Sequence, residues 1–303
     1  MGRDLSRLLQ LFFSLFILSL LCFGLLKFFP GSPFVEEFPA DPVVIQELQK
    51  FYGLNEDLFT QGRIYFSRLL QGDLGTSMRF PGQSVKSLIW DYGTTSALLG
   101  FSAFLLAVLF SFLYSYWTRR SAFRFRSEMD LFLLLGISVP TLAAGPLLIW
   151  LICIQADLLP VALLEKPTSY ILPIFILAFR PALSLSRVLS VSLDEVLRAQ
   201  YVQVARSLGF SEKKILLKWA LKNGLISYIS QAAPVLVGLI SGSFLVENLF
   251  AIPGLGFQFV ESVLNRDWPL ILGIALFYGL FLLIIQWVAD CLIEYMNPKL
   301  GVS

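Results

Sequence analysis

Residues Asp194–Ser227 read DEVLRAQYVQVARSLGFSEKKILLKWALKNGLIS. They form a basic, amphipathic insert between two long apolar segments. Such a segment cannot sit in hydrocarbon, where charges and unsatisfied polar groups are costly. It must build a sizeable body at one membrane face. Asp194 is placed to cap a helix, and Glu195 to complement its positive end. Apolar positions recur at Val196, Leu197, Tyr201, Val204 and Leu208, near the helical period, and Ala205 leaves a close-approach point on the surface. Gly209 permits the left-handed conformation that ends a helix. Ser211 then caps a second helix, with Lys213, Lys214, Lys218 and Lys222 largely on one side. The spacing predicts a helix, a glycine turn and a second helix. The residues alone leave two uses open: a docking surface for a partner protein, or a hairpin resting on anionic lipid.

The flanks decide the class. The chain has 303 residues and only 15% are charged, against about 25% in soluble domains. Mean hydropathy is +0.74, and apolar runs of roughly 20 residues recur, each long enough to cross the hydrocarbon core. The expected fold is an all-α integral membrane protein with six transmembrane helices near 8–29, 94–117, 131–155, 170–190, 225–246 and 269–293. Pro140, Pro146, Pro173, Pro181 and Pro234 fall in or beside these spans and predict local kinks. The run after Arg3 and Arg7 is too long for a signal-peptide core and lacks a small-residue cleavage site, so it reads as an uncleaved first span.

Basic residues sort by face when the N-terminus is placed inside. The interior segments then hold Arg3, Arg7, Arg119, Arg120, Arg124, Arg126, the cations of the insert, and Lys299, while the two short exterior loops hold only Lys166 and Arg266. Both termini are therefore expected in the cytoplasm. The resulting division is a first span over 1–29, an extracytoplasmic region over 30–93, a core over 94–293 with the insert at about 191–224, and a tail over 294–303. The region 30–93 reads as folded. Asp41-Pro42 has the form of a helix start and Gly53 that of a stop.

Several chemistries are excluded. The chain has no histidine, which removes histidine-based hydrolases and zincins. Cys22, Cys153 and Cys291 lie in apolar segments without metal or disulfide spacing and read as small buried hydrophobes. No GxxxxGK[ST] occurs, so the chain cannot cradle ATP phosphates through a P-loop. No nucleophile–base set, carboxylate pair or metal cluster is seen. No catalytic residue, metal or cofactor is expected on this chain.

The pattern Glu195-Val-Leu, Tyr201-Val, Ala205-Arg206, Gly209-x-Ser211 and Ala220-Leu-Lys-Asn223 resembles the EAA loop of ABC importer permeases. More narrowly it is similar to the dipeptide/oligopeptide/nickel permease family. Gln71-Gly-Asp-Leu-Gly-Thr-Ser77, Gly136-Ile-Ser-Val-Pro140, Val246-Glu-Asn-Leu-Phe250, Pro253-Gly-Leu-Gly256, Arg266-Asp-x-Pro269 and Asn297-Pro-Lys299 extend the likeness from about Tyr52 to the C-terminus. The order of these pieces carries the match. The sequence departs from the family's patterns at Leu221-Lys222, where the commoner loop has Leu-Pro, at Ser190, and at Arg180.

The resemblance implies a type I fold in a bacterial inner membrane. It implies a second homologous permease subunit, two cytoplasmic ATPases that bind ATP and Mg, and an extracytoplasmic binding protein that delivers a peptide. Membrane lipid surrounds the spans, and no nucleic acid is expected. Glu195, Tyr201, Ala205, Arg206, Gly209 and Ser211 would couple to the ATPase, Glu195 being alternatively a simple helix-start charge. Glu247, Pro253, Gly254 and Gly256 would lie near the extracytoplasmic gate, or merely connect two helices. Arg180, a charge in mid-span, would face the translocation path or serve as a structural pairing at Pro181. Arg187 and Asp290 read as structural charges near span ends. A nickel or glutathione importer is the alternative within the family, and an ATP-independent secondary transporter is the alternative outside it. The latter would want inverted repeats and midplane ionisable groups.

Overall fold

Among the described residues the computed structural model has helices as its regular structure, apart from an isolated antiparallel bridge between Thr76 and Ser84. It describes residues 2–28, 42–119, 124–160, 166–241 and 243–296. Phe29, Asp41, Arg120 and Asn297–Lys299, invoked above, lie outside these residues. The chain divides into two compact units, one of residues 1–94 and 257–281, the other of 95–256 and 282–303.

The first unit contains α1 (Gly2–Phe28), α2 (Pro42–Phe51), α3 (Leu58–Leu70), the start of α4 (Val85–Thr118), most of α12 (Leu255–Leu264) and the first half of α13 (Trp268–Met296). Gly53, with φ +66°, follows the end of α2 as expected of a glycine stop. Asp57 caps α3, accepting from the amides of Phe59 (3.1 Å) and Thr60 (3.3 Å) and from the Thr60 hydroxyl. Phe23 stacks on Tyr65, and Phe16 meets Phe66, which fastens α1 to α3. Two motifs distant in sequence meet at Asp267. Its buried carboxylate accepts from the Ser77 hydroxyl and from the amides of Met78 (3.1 Å), Arg79 (3.3 Å) and Leu270 (3.4 Å). The 71–77 segment and the Arg266-Asp-x-Pro269 segment are thus one structural feature.

The second unit holds the rest of α4, then α5 (Arg126–Ser138), α6 (Thr141–Leu148) running into a π-helical stretch (Ile149–Gln155), and α7 (Ile171–Arg198). It continues with α8 (Gln200–Ser207), α9 (Glu212–Lys214), a π-helical stretch (Ile215–Ala220), α10 (Leu221–Ser241) and α11 (Phe244–Leu249). Small residues let these helices approach closely, as membrane helices do. A β-carbon on Gly100 would overlap Ile240, and one on Gly136 would overlap Leu183. Hydroxyl pairs add specificity: Ser111 with Tyr228 (2.7 Å), and Ser115 with Ser190 (3.0 Å). Ser190 is buried, and its short side chain suits that contact.

Among the described residues, four runs are long and apolar enough to cross a membrane: Val85–Thr118, Pro167–Arg198, Glu212–Leu249 and Trp268–Met296. The expected span at 131–155 is a bent pair. Its halves, Arg126–Ser138 and Ala143–Gln155, meet at 102°. The cause is local. Pro140 has no N–H and forces the preceding residue out of the helical region, and Val139 is extended at φ −72°, ψ 121°. The first expected span, near 8–29, falls on α1, whose apolar stretch Leu9–Gly24 is shorter than these four runs. Pro146, Pro181 and Pro234 lie inside helices that continue past them.

Candidate functional site

The insert folds as a hairpin whose first element differs from expectation. Helix α7 runs without a break to Arg198, so Asp194 and Glu195 stand near a helix C-terminus. The cap assigned to Asp194 and the dipole role assigned to Glu195 are therefore corrected. No glycine or proline interrupts residues 182–198, and an established helix propagates through such a run. The break comes at Ala199, extended at φ −65°, ψ 146°, a residue with no breaking tendency. Beyond it α8 is a separate helix of 8 residues.

The turn after α8 follows the sequence reading. Gly209 has φ +81°, and no atom lies within 4 Å of where its β-carbon would stand. Backbone conformation, and not crowding, asks for glycine there. The Ser211 hydroxyl accepts from the Lys214 amide at 3.4 Å, at the start of α9. Lys213, Lys214, Lys218 and Lys222 are all exposed.

Ala205 is not a surface close-approach point. It is wholly buried with Val202 and Ile215, beside Phe210 and Trp219. Its small side chain lets α8 lie on the second arm of the hairpin. The expected surface is instead supplied by Tyr201, Val204 and Leu208, which are 45%, 53% and 70% exposed. They recur three and four residues apart, so one face of α8 is apolar and open. Two polar contacts brace the hairpin across its turn. Arg206 donates to Glu212 at 2.7 and 3.2 Å, and the Asn223 amide donates to the Tyr201 hydroxyl at 2.9 Å. The bond to Glu212 holds the Arg206 guanidinium above its ordinary pKa. Glu195 is exposed on α7.

Glu247, Pro253, Gly254 and Gly256 come together at the far end of α10 and α11. Glu247 is fully buried, and its carboxylate accepts from the hydroxyls of Ser96 (2.6 Å) and Ser243. Ser96 in turn accepts from the Leu255 amide at 2.8 Å. The Glu247 carbonyl accepts from the Ile252 amide at 2.8 Å. A β-carbon on Gly254 would overlap the Glu247 carboxylate, and one on Gly256 would press on Phe244. The turn is thus knotted to a buried carboxylate, which sequence alone left as a gate or a connector.

Arg180 and Arg187 are both exposed on α7, two turns apart on one face, with half-buried Ser184 between them. Leu185 and Leu189, on the opposite face, are fully buried. Four charges escaped the sequence reading as a set. Arg119, Arg126, Asp130 and Asp194 form a cluster of ion pairs where α4, α5 and α7 meet. The available signal was carboxylates at the ends of apolar runs that elsewhere end in arginines.

Membrane-length helices interrupted by a braced polar hairpin with an open apolar face are those of a multi-pass membrane subunit. Residues 108–302 match the family described as binding-protein-dependent transport system inner membrane component, and the chain belongs to that family. It is 32% identical to the dipeptide transport system permease protein DppB of Bacillus subtilis over 289 residues, covering 95% of this chain and 94% of that one. It is also 32% identical to the oligopeptide transport system permease protein OppB of Haemophilus influenzae over 301 residues, covering 97% of each. Among solved structures it is similar to the inward-facing MetNI methionine ABC transporter, with TM-score 0.52 and 16% identity over 70% of this chain and 96% of that one. An amino acid ABC transporter solved with histidines aligns with TM-score 0.54 and 15% identity, over 69% and 94%. These structures share its fold, that of type I ABC importer permeases. The chain is a transport component and not an enzyme.

Proposed function

We propose that this chain is one of two homologous permease subunits of an ATP-driven importer of short peptides, and that α8 is the helix its ATPase partners grip. The observation that carries this reading is the open apolar face of Tyr201, Val204 and Leu208 on a short braced helix. A helix that merely lay on lipid would not need the Arg206–Glu212 brace and the left-handed Gly209 exit that fix its angle. Two cytoplasmic ATPases supply ATP and Mg binding, and an extracytoplasmic binding protein supplies the solute. Peptide is the substrate class because the full-length relatives are named for dipeptide and oligopeptide transport.

In this reading the chain is a bacterial inner-membrane protein with both termini in the cytoplasm. Residues 1–29 form the entry helix, 30–93 the extracytoplasmic region, 94–293 the transport core and 294–303 the tail. Glu195, Tyr201, Arg206, Gly209 and Ser211 shape or flank the docking surface, and Ala205 supports it from within. Arg180 faces the translocation path. Glu247, Pro253, Gly254 and Gly256 form the extracytoplasmic gate.

The test is reconstitution of this chain with its second permease, ATPases and binding protein in vesicles. Uptake of a labelled dipeptide should require ATP, and Leu208→Asp should release the ATPases without lowering the amount of folded chain. Uptake driven by an ion gradient without ATP, or full ATPase retention by a Tyr201→Asp, Val204→Asp, Leu208→Asp triple variant, would sink the reading.

A further inference from the structure

Three helices of the second unit are tied together by charge. Arg119 follows the last residue of α4, Arg126 and Asp130 occupy the first turns of α5, and Asp194 lies near the end of α7. The side chain of Arg119 is only 2% exposed. Its fork holds both oxygens of Asp130, at 2.8 and 2.9 Å, and reaches one oxygen of Asp194 at 3.3 Å. Arg126 closes on the other oxygen of Asp194 and lies 4.0 Å from Asp130. The Tyr114 hydroxyl, from α4, adds a bond to Asp130 at 3.0 Å.

Burying a guanidinium is costly, and apolar packing of the same volume often serves stability as well or better. What a forked, multiply bonded arginine supplies is fixed geometry. Here the geometry is that of the hairpin root. Asp194 stands five residues before Ala199, where the chain breaks into α8. From the same cluster α5 runs to Val139–Pro140, where the backbone turns by 102°. Hairpin root, charge cluster, α5 and bend form one continuous path of rigid parts.

We propose that Arg119, Arg126, Asp130 and Asp194 are positioning residues of the transport cycle: a clamp that stays closed and makes α5 move with the ATPase-docking hairpin. The proposal rests on the docking reading of α8. Displacement of α8 carries the end of α7 with it. The clamp passes that displacement to the first turn of α5, and α5 delivers it to the bend at Pro140. A broken clamp leaves the hairpin docked but idle.

The experiment measures ATP hydrolysis and solute uptake together in the reconstituted complex. Arg126 is 40% exposed at its side chain, so Arg126→Gln opens the link to Asp194 while the pair of buried Arg119 with Asp130 stays intact. The ATPases should remain attached and hydrolysis should continue, while uptake per ATP hydrolysed falls about five- to tenfold. Arg126→Lys should restore much of the ratio. A purely structural role would lower folded amount, hydrolysis and uptake in proportion and leave the ratio unchanged, and that result overturns the proposal. A second arm avoids dependence on that variant. In a chain with Cys22, Cys153 and Cys291 changed to serine, Arg126→Cys and Asp194→Cys are bridged by a short bis-maleimide. The unbridged double variant should show lowered uptake per ATP that bridging restores; uptake that the double change does not lower, or that bridging abolishes, overturns the clamp. Loss of ATPase attachment in the unmodified chain would count against the docking reading and leave the clamp's own test distinct.

Discussion

The carboxylate of Glu247 occupies the space where a β-carbon on Gly254 would stand. The glycine is therefore required by contact, since its φ is not left-handed. Gly254→Ala must push Glu247 away from Ser96 and Ser243 or displace the turn. Overpacking of this kind costs about 1–3 kcal/mol, and loosening the bonds of a buried carboxylate adds to it. Thermal unfolding in detergent should show a clear loss for Gly254→Ala. Gly238→Ala, where nothing lies within 4 Å and the residue sits inside α10, should be neutral or slightly stabilising. Equal behaviour of the two variants would refute the contact argument.

Asp267 is the corresponding knot of the first unit. Removing its carboxylate takes the acceptor from the amides of Met78 and Leu270 and from the buried Ser77 hydroxyl, while the Arg79 amide keeps its second bond, to the Ser77 oxygen at 3.2 Å. Orphaned buried groups cost about 1–3 kcal/mol each, with relaxation and water recovering part of the sum. Asp267→Ala should accordingly raise the rate of limited proteolysis within residues 71–84 several-fold. Asp267→Asn, which keeps an acceptor oxygen, should fall between it and the native chain.

The N-terminal turn of α3 should respond to acid. The Asp57 carboxyl is held below its usual range by the Thr60 hydroxyl first, and then by the Thr60 amide. A depressed folded pKa contributes stability that is present above the unfolded value, near 4, and lost as pH falls through the lower folded value. Amide exchange at Phe59 and Thr60, corrected for intrinsic rates, should be protected above about pH 5 and should lose that protection well below about pH 4. Asp57→Asn should flatten the profile, and a native profile already flat would refute the cap.

Much of the fold was legible in the chain, because membrane spans are read from length and apolarity, which need no partner. The Gly209 turn and the Ser211 cap were legible because each acts through its own backbone. What failed depended on neighbours. The end of α7 at Ala199 has no local signal, and Asp194 resembles a helix cap until Arg119 and Arg126 are seen beside it. Ala205 was correctly singled out as small but placed on the wrong face, since a period of 3.6 residues gives the angle between faces and does not say which one meets the second arm. The bend at Pro140 was legible as a kink, while its size depends on how α5 and α6 each pack.

Within the hairpin, three substitutions separate three causes. Gly209→Ala meets no neighbour, but it must hold φ +81°, which costs an L-residue about 1 kcal/mol or more. Ala205→Leu has no room between Val202 and Ile215, so about 1–3 kcal/mol of overpacking should lift α8 from the second arm. Glu212→Gln breaks a half-exposed ion pair that is worth about 0.2–1 kcal/mol. ATPase retention on an affinity column should therefore fall most for Ala205→Leu, less for Gly209→Ala, and little for Glu212→Gln. Since Ala205 touches no partner in this account, a second change that restores space, Ile215→Ala, should recover part of the loss in the Ala205→Leu background. Failure of that rescue with a folded chain would move Ala205 from the hairpin's interior to the docking surface itself.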